Sequence, residues 1–341
     1  MTAEAPGDLA GIRGAIFGLS GTVLNPAEAG FLAEARPWGV ILFSRNIKTP
    51  EQTAALVREI RSVLGRNAAV LIDQEGGRVQ RLGPPHWRAW PAPMVDAAGP
   101  AAQERIWLRS RLIADDLMAL GIDVNCAPML DLASSDAHEI MTSRILGETP
   151  ELVARQGRAV ADALLAGGVL PVVKHIPGHG RATVDSHAAL PIISADLPTL
   201  RRTDFRPFVA LADLPLAMTA HLLIPALDPV APVTLSAPAI AAIRAEIGFD
   251  GALMTDDLAM GALQGPMRER AAQASAAGCD LLLHCSGDLA EMAEIAAAAP
   301  LLEGAAARRV AAAEAMRRGP QPFDRAAALA RYAALGTEVA A

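Results

Sequence analysis

The sequence predicts an α/β chain folded as a single (β/α)8 barrel of the TIM type. Three observations carry this expectation. Short apolar runs alternate with longer amphipathic, alanine-rich stretches, the pattern of parallel strands joined by crossover helices. The chain has 341 residues, enough for the roughly 250 that such a barrel uses. Polar residues recur at the C-terminal end of one apolar run after another, the end where a barrel carries its chemistry.

The strands are expected at 14–19 (GAIFGL), 39–43 (GVILF), 68–73 (AAVLID), 123–128 (DVNCAP), 169–174 (VLPVVK), 214–219 (LPLAMT), 251–256 (GALMTD) and 280–285 (DLLLHC). Most are near-continuous apolar runs, as strands buried on both faces should be. Helices are expected over 50–65, 100–121 and 150–168. The last two carry proline in the first turn and glycine at the end. The segment GPPHWRAWPAP (83–93) reads as a loop over one barrel face, with His86, Trp87 and Trp90 covering that loop rather than walling a pocket. After about residue 290 the chain becomes an alanine-rich helical tail, punctuated by RRGPQPFDR (317–325), with no strands of its own. One catalytic domain over 1–341 is therefore expected, with a barrel core of about 14–290 and a tail of about 291–341.

Composition narrows the function. Hydrophobic residues make up 52% and aromatics 4%, so the core must be aliphatic. A formal charge of −7 weighs against nucleic acid or an anionic membrane surface as a partner. No apolar run reaches the roughly 18 residues of a membrane span. The first fifteen residues lack the apolar stretch of a secretory signal, so a cytoplasmic location is expected. Cys126, Cys279 and Cys285 are odd in number and lack CxxC spacing. They are expected to be reduced, buried thiols. Met118, Met129, Met254 and Met260 read as core filler.

The polar set at the strand ends comprises Asp73, Asn125 with Asp131, Lys174 with His175, His221, Asp256 with Asp257, and His284. The stretch VVKHIPGHGRATVDSH (172–187) holds three of the seven histidines, and Pro177, Gly178 and Gly180 argue against a helix there. Asp185, two residues before His187, can fix that ring's tautomer and leave its other nitrogen free for proton transfer. In GFDGALMTDDLAM (248–260), neighbours on an extended backbone point to opposite sides. One of Asp256 and Asp257 should therefore face the pocket while the other bonds scaffold. A carboxylate at a barrel mouth can attack an electrophilic carbon. In IDQEGGRVQRL (72–82), Gly76 and Gly77 permit a sharp turn that brings Asp73, Arg78 and Arg81 together, a set suited to a hydroxyl-rich ligand. No phosphate-cradling glycine motif is present.

Three other readings of these residues stand open. A metal-dependent barrel hydrolase would use His175, His179, Asp185 and His187 as ligands, although four ligands on one loop make a poor cage. A Schiff-base aldolase would use Lys174, although no second lysine or apolar cage is evident to lower its pKa. A non-catalytic sugar-binding protein would be expected to lack the nucleophile or the acid, and both Asp256 and His187 are present.

Three segments, DQEGGRVQR, KHIPGHG…DSH and GFDGALMTDDLAM, resemble the signatures of glycoside hydrolase family 3, in particular its single-domain bacterial β-N-acetylglucosaminidases. GVILFSRNI (39–47), CAPMLDL (126–132) and AGCDLLL (277–283) extend the resemblance over roughly 14 to 290, in the family's order. The resemblance implies a cytoplasmic barrel that releases N-acetylglucosamine from muropeptides, chiefly from its link to anhydro-N-acetylmuramic acid, in cell-wall recycling. It implies no metal or other cofactor. Asp256 matches the family's nucleophile, and His187 with Asp185 its mobile acid/base dyad. Asp73, Arg81, Lys174 and His175 match sugar-binding positions, and Arg144 matches an arginine that contacts substrate. Ile145 and Ile176 stand where the family usually has aromatics, which is expected to reduce aromatic surface near the site. The expected partner is a small saccharide or muropeptide, with the chain acting as a monomer.

Overall fold

The computed structural model describes residues 9–132, 142–186 and 189–336. Among them eight parallel strands form one sheet: β1 (Arg13–Gly18), β2 (Pro37–Leu42), β3 (Ala69–Ile72), β4 (Val124–Asn125), β5 (Leu170–Ile176), β6 (Leu216–Thr219), β7 (Ala252–Met254) and β8 (Leu282–His284). Each lies within a few residues of its expected run. The order is β8-β1-β2-β3-β4-β5-β6-β7, and every pairing is parallel. The ring draws together between β7 and β8 through the Met254–Leu281 bridge and the bond from Thr255 N–H to the Leu281 carbonyl, 3.0 Å. The barrel expected from strand–helix alternation is the one observed.

Side-chain alternation builds two layers of core. Ile16, Ile41, Leu71, Val172 and Met218 meet inside the barrel. Phe17 and Val40, one residue along from Ile16 and Ile41, point outward into clusters shared with the helices. Helix Pro50–Leu64 begins under a Thr49 cap and helix Pro150–Ala166 under a Thr149 cap, each with proline in its first turn. Helix Ala102–Leu120 departs from expectation at its start. Pro100 precedes it, and Ala101 is the cap residue without a side-chain bond.

The tail is not an appendage. Val310 and Ala313 of helix Gly304–Ala315 pack with Ile12 and Trp38 at the N-terminal end of the barrel interior. The Trp38 indole donates to Glu314 at 2.8 Å, and Arg317 pairs with Asp123. This closes one mouth and leaves the chemistry to the other. Cys126 and Cys279 are buried free thiols, as expected, but Cys285 is free and only half-buried. It follows β8 at the open mouth, where the barrel wall ends. Among the described residues no helix is long and apolar enough to cross a membrane.

Candidate active site

Eight of the polar residues singled out from sequence line one cavity at the C-terminal mouth: Asp73, Arg78, Arg81, Arg144, Lys174, His175, Asp256 and Asp257. Its volume is about 260 Å³, with Ile41, Met218 and Leu283 on the apolar side and Phe43 and Met260 beside the charges. That lies just under the roughly 300–1,000 Å³ typical of ligand sites and suits one small ring. Met260, expected as core filler, lines this cavity.

The first wall comes from β3. Asp73 follows the last strand residue. The chain then pairs Gln74–Gly76 against Val79–Gln80 in a tight hairpin. The buried Gln74 side chain holds the hairpin shut, its oxygen accepting from the N–H groups of Arg81 (2.8 Å) and Leu82 (2.9 Å). Arg81 is thereby returned to Asp73, with Nη2 3.2 Å from Oδ2. From β5, Lys174 places Nζ 2.9 Å from Asp73 Oδ1 and 2.6 Å from Glu75 Oε1. Arg144 grips Glu75 with two bonds, 2.9 and 2.7 Å. Burial alone would raise the Glu75 carboxyl, but Arg144 and Lys174 overcome it and hold the group well below the usual carboxylate range. Asp73 is likewise lowered against burial by Lys174 and Arg81. Lys174 responds in kind: burial works to lower it, and Asp73 and Glu75 raise it instead. A lysine held protonated this firmly is a poor amine nucleophile, which argues against the Schiff-base reading.

The second wall is an Asp–His–Asp line. Asp131, fully buried, sits 2.7 Å from His175 Nδ1 and also accepts from the backbone N–H groups of His175 and His179. Burial pushes the Asp131 carboxyl up, and His175 more than offsets it, so the group is lowered. His175 Nε2 then faces Asp256 Oδ2 at 4.0 Å. Asp256 Oδ1 accepts the Asp257 N–H at 2.8 Å, leaving Oδ2 turned to the cavity, and the side chain is 19% exposed. Burial acts to raise Asp256, while His175, His221 and the Asp257 N–H together lower it. The carboxylate is therefore ionised at neutral pH.

The two neighbouring aspartates were expected to divide between pocket and scaffold; both border the cavity, because the strand ends at Met254 and the chain bends at Asp256, and they differ in their bonding instead. Asp257 Oδ1 is occupied by the N–H groups of Ala259 and Cys285, 3.0 and 3.1 Å away. Burial raises its carboxyl.

Other members of the strand-end set serve the scaffold. Asn125 bonds both backbone polar groups of Gln74 at 3.0 Å. His221 is buried between Thr234 and the Asp257 carbonyl. His284 has its ring on Glu291 at 2.8 Å, behind the barrel wall. Ile176 is fully buried in the layer between sheet and helices. Its difference from the family therefore bears on core packing, where the sequence led us to expect an effect on the site. His86, Trp87 and Trp90 do not line the cavity. Trp90 is buried edge-on to Tyr332, 5.3 Å between ring centres.

Asp185 is half-buried and its backbone carbonyl accepts the Ala189 N–H at 3.1 Å. His187 lies outside the described residues. The metal reading needed these two to converge with His175 and His179, yet the Nδ1 of His175 is already taken by Asp131. Among the described residues no group of three or more His, Cys, Asp or Glu is disposed to hold a metal ion.

Two site residues had escaped assignment. Glu75 carried a legible signal: at i+2 from Asp73 on an extended backbone it must share that residue's side. Asp131 carried only its position after β4, because its partner His175 comes from β5.

Residues 19–317 match the glycosyl hydrolase family 3 N-terminal domain. A β-hexosaminidase of Alkalilimnicola ehrlichii is 39% identical over 281 residues, covering 80% of this chain and 80% of that protein. One of Methylococcus capsulatus is 37% identical, covering 80% and 82%. The crystal structure of NagZ from Neisseria gonorrhoeae in complex with N-trifluoroacetyl-D-glucosamine superimposes with a TM-score of 0.83 at 28% identity, covering 95% of this chain and 97% of that one.

Proposed function

This chain belongs to glycosyl hydrolase family 3 and is a β-N-acetylhexosaminidase, and from that premise we propose a retaining exo-β-N-acetylglucosaminidase of peptidoglycan recycling. Its substrate is a muropeptide bearing terminal N-acetylglucosamine on anhydro-N-acetylmuramic acid, and it acts in the cytoplasm as a monomer without a cofactor. The observation that carries the reading is Asp256: an ionised carboxylate with one oxygen committed to the backbone and the other free at the cavity.

The reaction runs in two displacements. Asp256 Oδ2 attacks the anomeric carbon, the glycosidic C–O bond breaks, and the leaving oxygen takes a proton from His187. A water molecule, losing a proton to His187, then attacks the glycosyl ester and frees the sugar with its β-configuration kept. Retaining enzymes ordinarily use two carboxyl groups. Here, among the described residues, the other carboxylates lining the cavity, Asp73 and Asp257, are committed to Lys174 and Arg81 and to backbone N–H groups. That leaves the acid role open for an imidazole, whose ordinary pKa of about 6.5 suits giving and taking a proton near neutrality. Asp185 orients it. Asp73, Arg81, Arg144, Lys174 and His175 bind the sugar. Mostly buried and held by ion pairs among themselves and with Glu75 and Asp131, they meet hydroxyls without reorganising.

The test uses an aryl N-acetyl-β-glucosaminide beside the matching β-glucoside, with NMR of the first-formed anomer. Selective release of β-N-acetylglucosamine is expected. Release of the α-anomer would exclude Asp256 as nucleophile. Turnover of GlcNAc-anhydroMurNAc, weaker than that of unrelated N-acetylglucosaminides, would exclude the recycling substrate.

A further inference from the structure

Helix Arg325–Leu335 lies beyond the segment that carries the family match, yet it is tied to the cavity by an unbroken buried chain. Tyr332, the chain's one tyrosine, donates its hydroxyl to Asp96, 2.9 and 2.8 Å from the two carboxylate oxygens. Asp96 Oδ2 takes Arg109 Nη1 at 2.9 Å. Arg109 Nη2 donates to the backbone carbonyl of Glu75. The Glu75 side chain then holds Arg144 and Lys174. Tyr332, Asp96, Arg109 and Glu75 are each no more than 6% exposed. We propose that Tyr332, Asp96 and Arg109 are positioning residues that set Glu75, and through it the Lys174 and Arg144 cations, for the sugar. The proposal rests on the assignment of those two cations to substrate binding.

Two features single out this chain as more than helix docking. A void of about 30 Å³ borders Glu75, Arg109 and Arg144, so on that side the Glu75 backbone is held by the bond from Arg109 to its carbonyl. The backbone is also shaped around that bond. Gly76 sits at φ +105°, and a Cβ there would come within 2.2 Å of Arg109 Nη2. The helix docks through Ala328, Leu329 and Leu335, contacts that do not reach Glu75, and its ion pairs, Arg325 with Asp115 and Asp116 and Arg331 with Glu104, are largely exposed and of little worth.

The test is Tyr332→Phe, which keeps the ring against Trp90 and removes only the hydroxyl. Steady-state kinetics on an aryl N-acetyl-β-glucosaminide should show KM raised roughly threefold to tenfold, the loss of one hydrogen bond's worth of placement, with kcat within about twofold. The inhibition constant of free N-acetylglucosamine should rise by the same factor. Arg109→Lys, which keeps the charge beside Asp96 and gives up the fork, should do likewise. Added to Glu75→Gln, Tyr332→Phe should change KM little further, because its route is already cut. A lowered Tm with KM and the inhibition constant unchanged would overturn the proposal, and so would fully multiplicative effects in the double variant. Lys174→Met is the control. If it leaves KM unchanged, the sugar-binding assignment falls and the relay with it; if it raises KM while Tyr332→Phe does not, the relay alone falls.

Discussion

His179 makes the stability of this protein respond to mild acid. The ring is 4% exposed and, among the described residues, neither nitrogen has a hydrogen-bond partner. Burial first, and the neighbouring His175 second, push it down from 6.5 to about 4, against the pull of Asp131 and Asp256. In the unfolded chain the ring returns to about 6.5. Between those values the unfolded state binds a proton that the native state refuses, so stability falls as pH falls. The contribution is complete above the unfolded value and is lost as pH drops towards the folded one. In full it amounts to about 3 kcal/mol, of which about 2 kcal/mol is gone by about pH 5. The lowered carboxylates Asp73, Glu75 and Asp131 act further down, near their unfolded values of about 4. The window from about pH 7 to about pH 5 therefore belongs to imidazoles. His179→Leu removes this proton site while leaving His221, also lowered by burial, common to both proteins. Urea unfolding across the window should show the parent losing about 2 kcal/mol more than the variant. Parallel losses would refute the reading of His179 as a buried neutral ring.

Three further outcomes follow from the site. Asp256→Ala should lower kcat by at least about a thousandfold on activated and unactivated glycosides alike, with the fold intact by circular dichroism. His187→Ala should cost roughly 10²- to 10⁴-fold on disaccharides, whose leaving groups need a proton, and far less on aryl glycosides. Equal losses would remove it from the acid role. Gly76→Ala should destabilise by about 1–3 kcal/mol from its φ alone and also raise KM, since the new Cβ displaces Arg109; thermal melts and kinetics read the two effects.

Sequence by itself determined the barrel. Eight near-continuous apolar runs alternating with helical stretches leave little freedom once strands must be buried on both faces and joined by helices. It also placed Asp73, Lys174, His175 and Asp256 at one mouth, because a strand's end is a local property.

What tertiary structure decided were the pairings. Asp131 acquires its role only when β4 and β5 lie side by side and His175 reaches it. His284 and His221 looked like members of the polar mouth, but packing gave their rings to Glu291 and Thr234. Tyr332 stands in a tail whose composition says only helix. Its hydroxyl matters because folding sets it on Asp96, 236 residues away in the chain. Hydropathy patterns record which face of an element is buried. They hold no information about which charge on a distant element will be buried beside it.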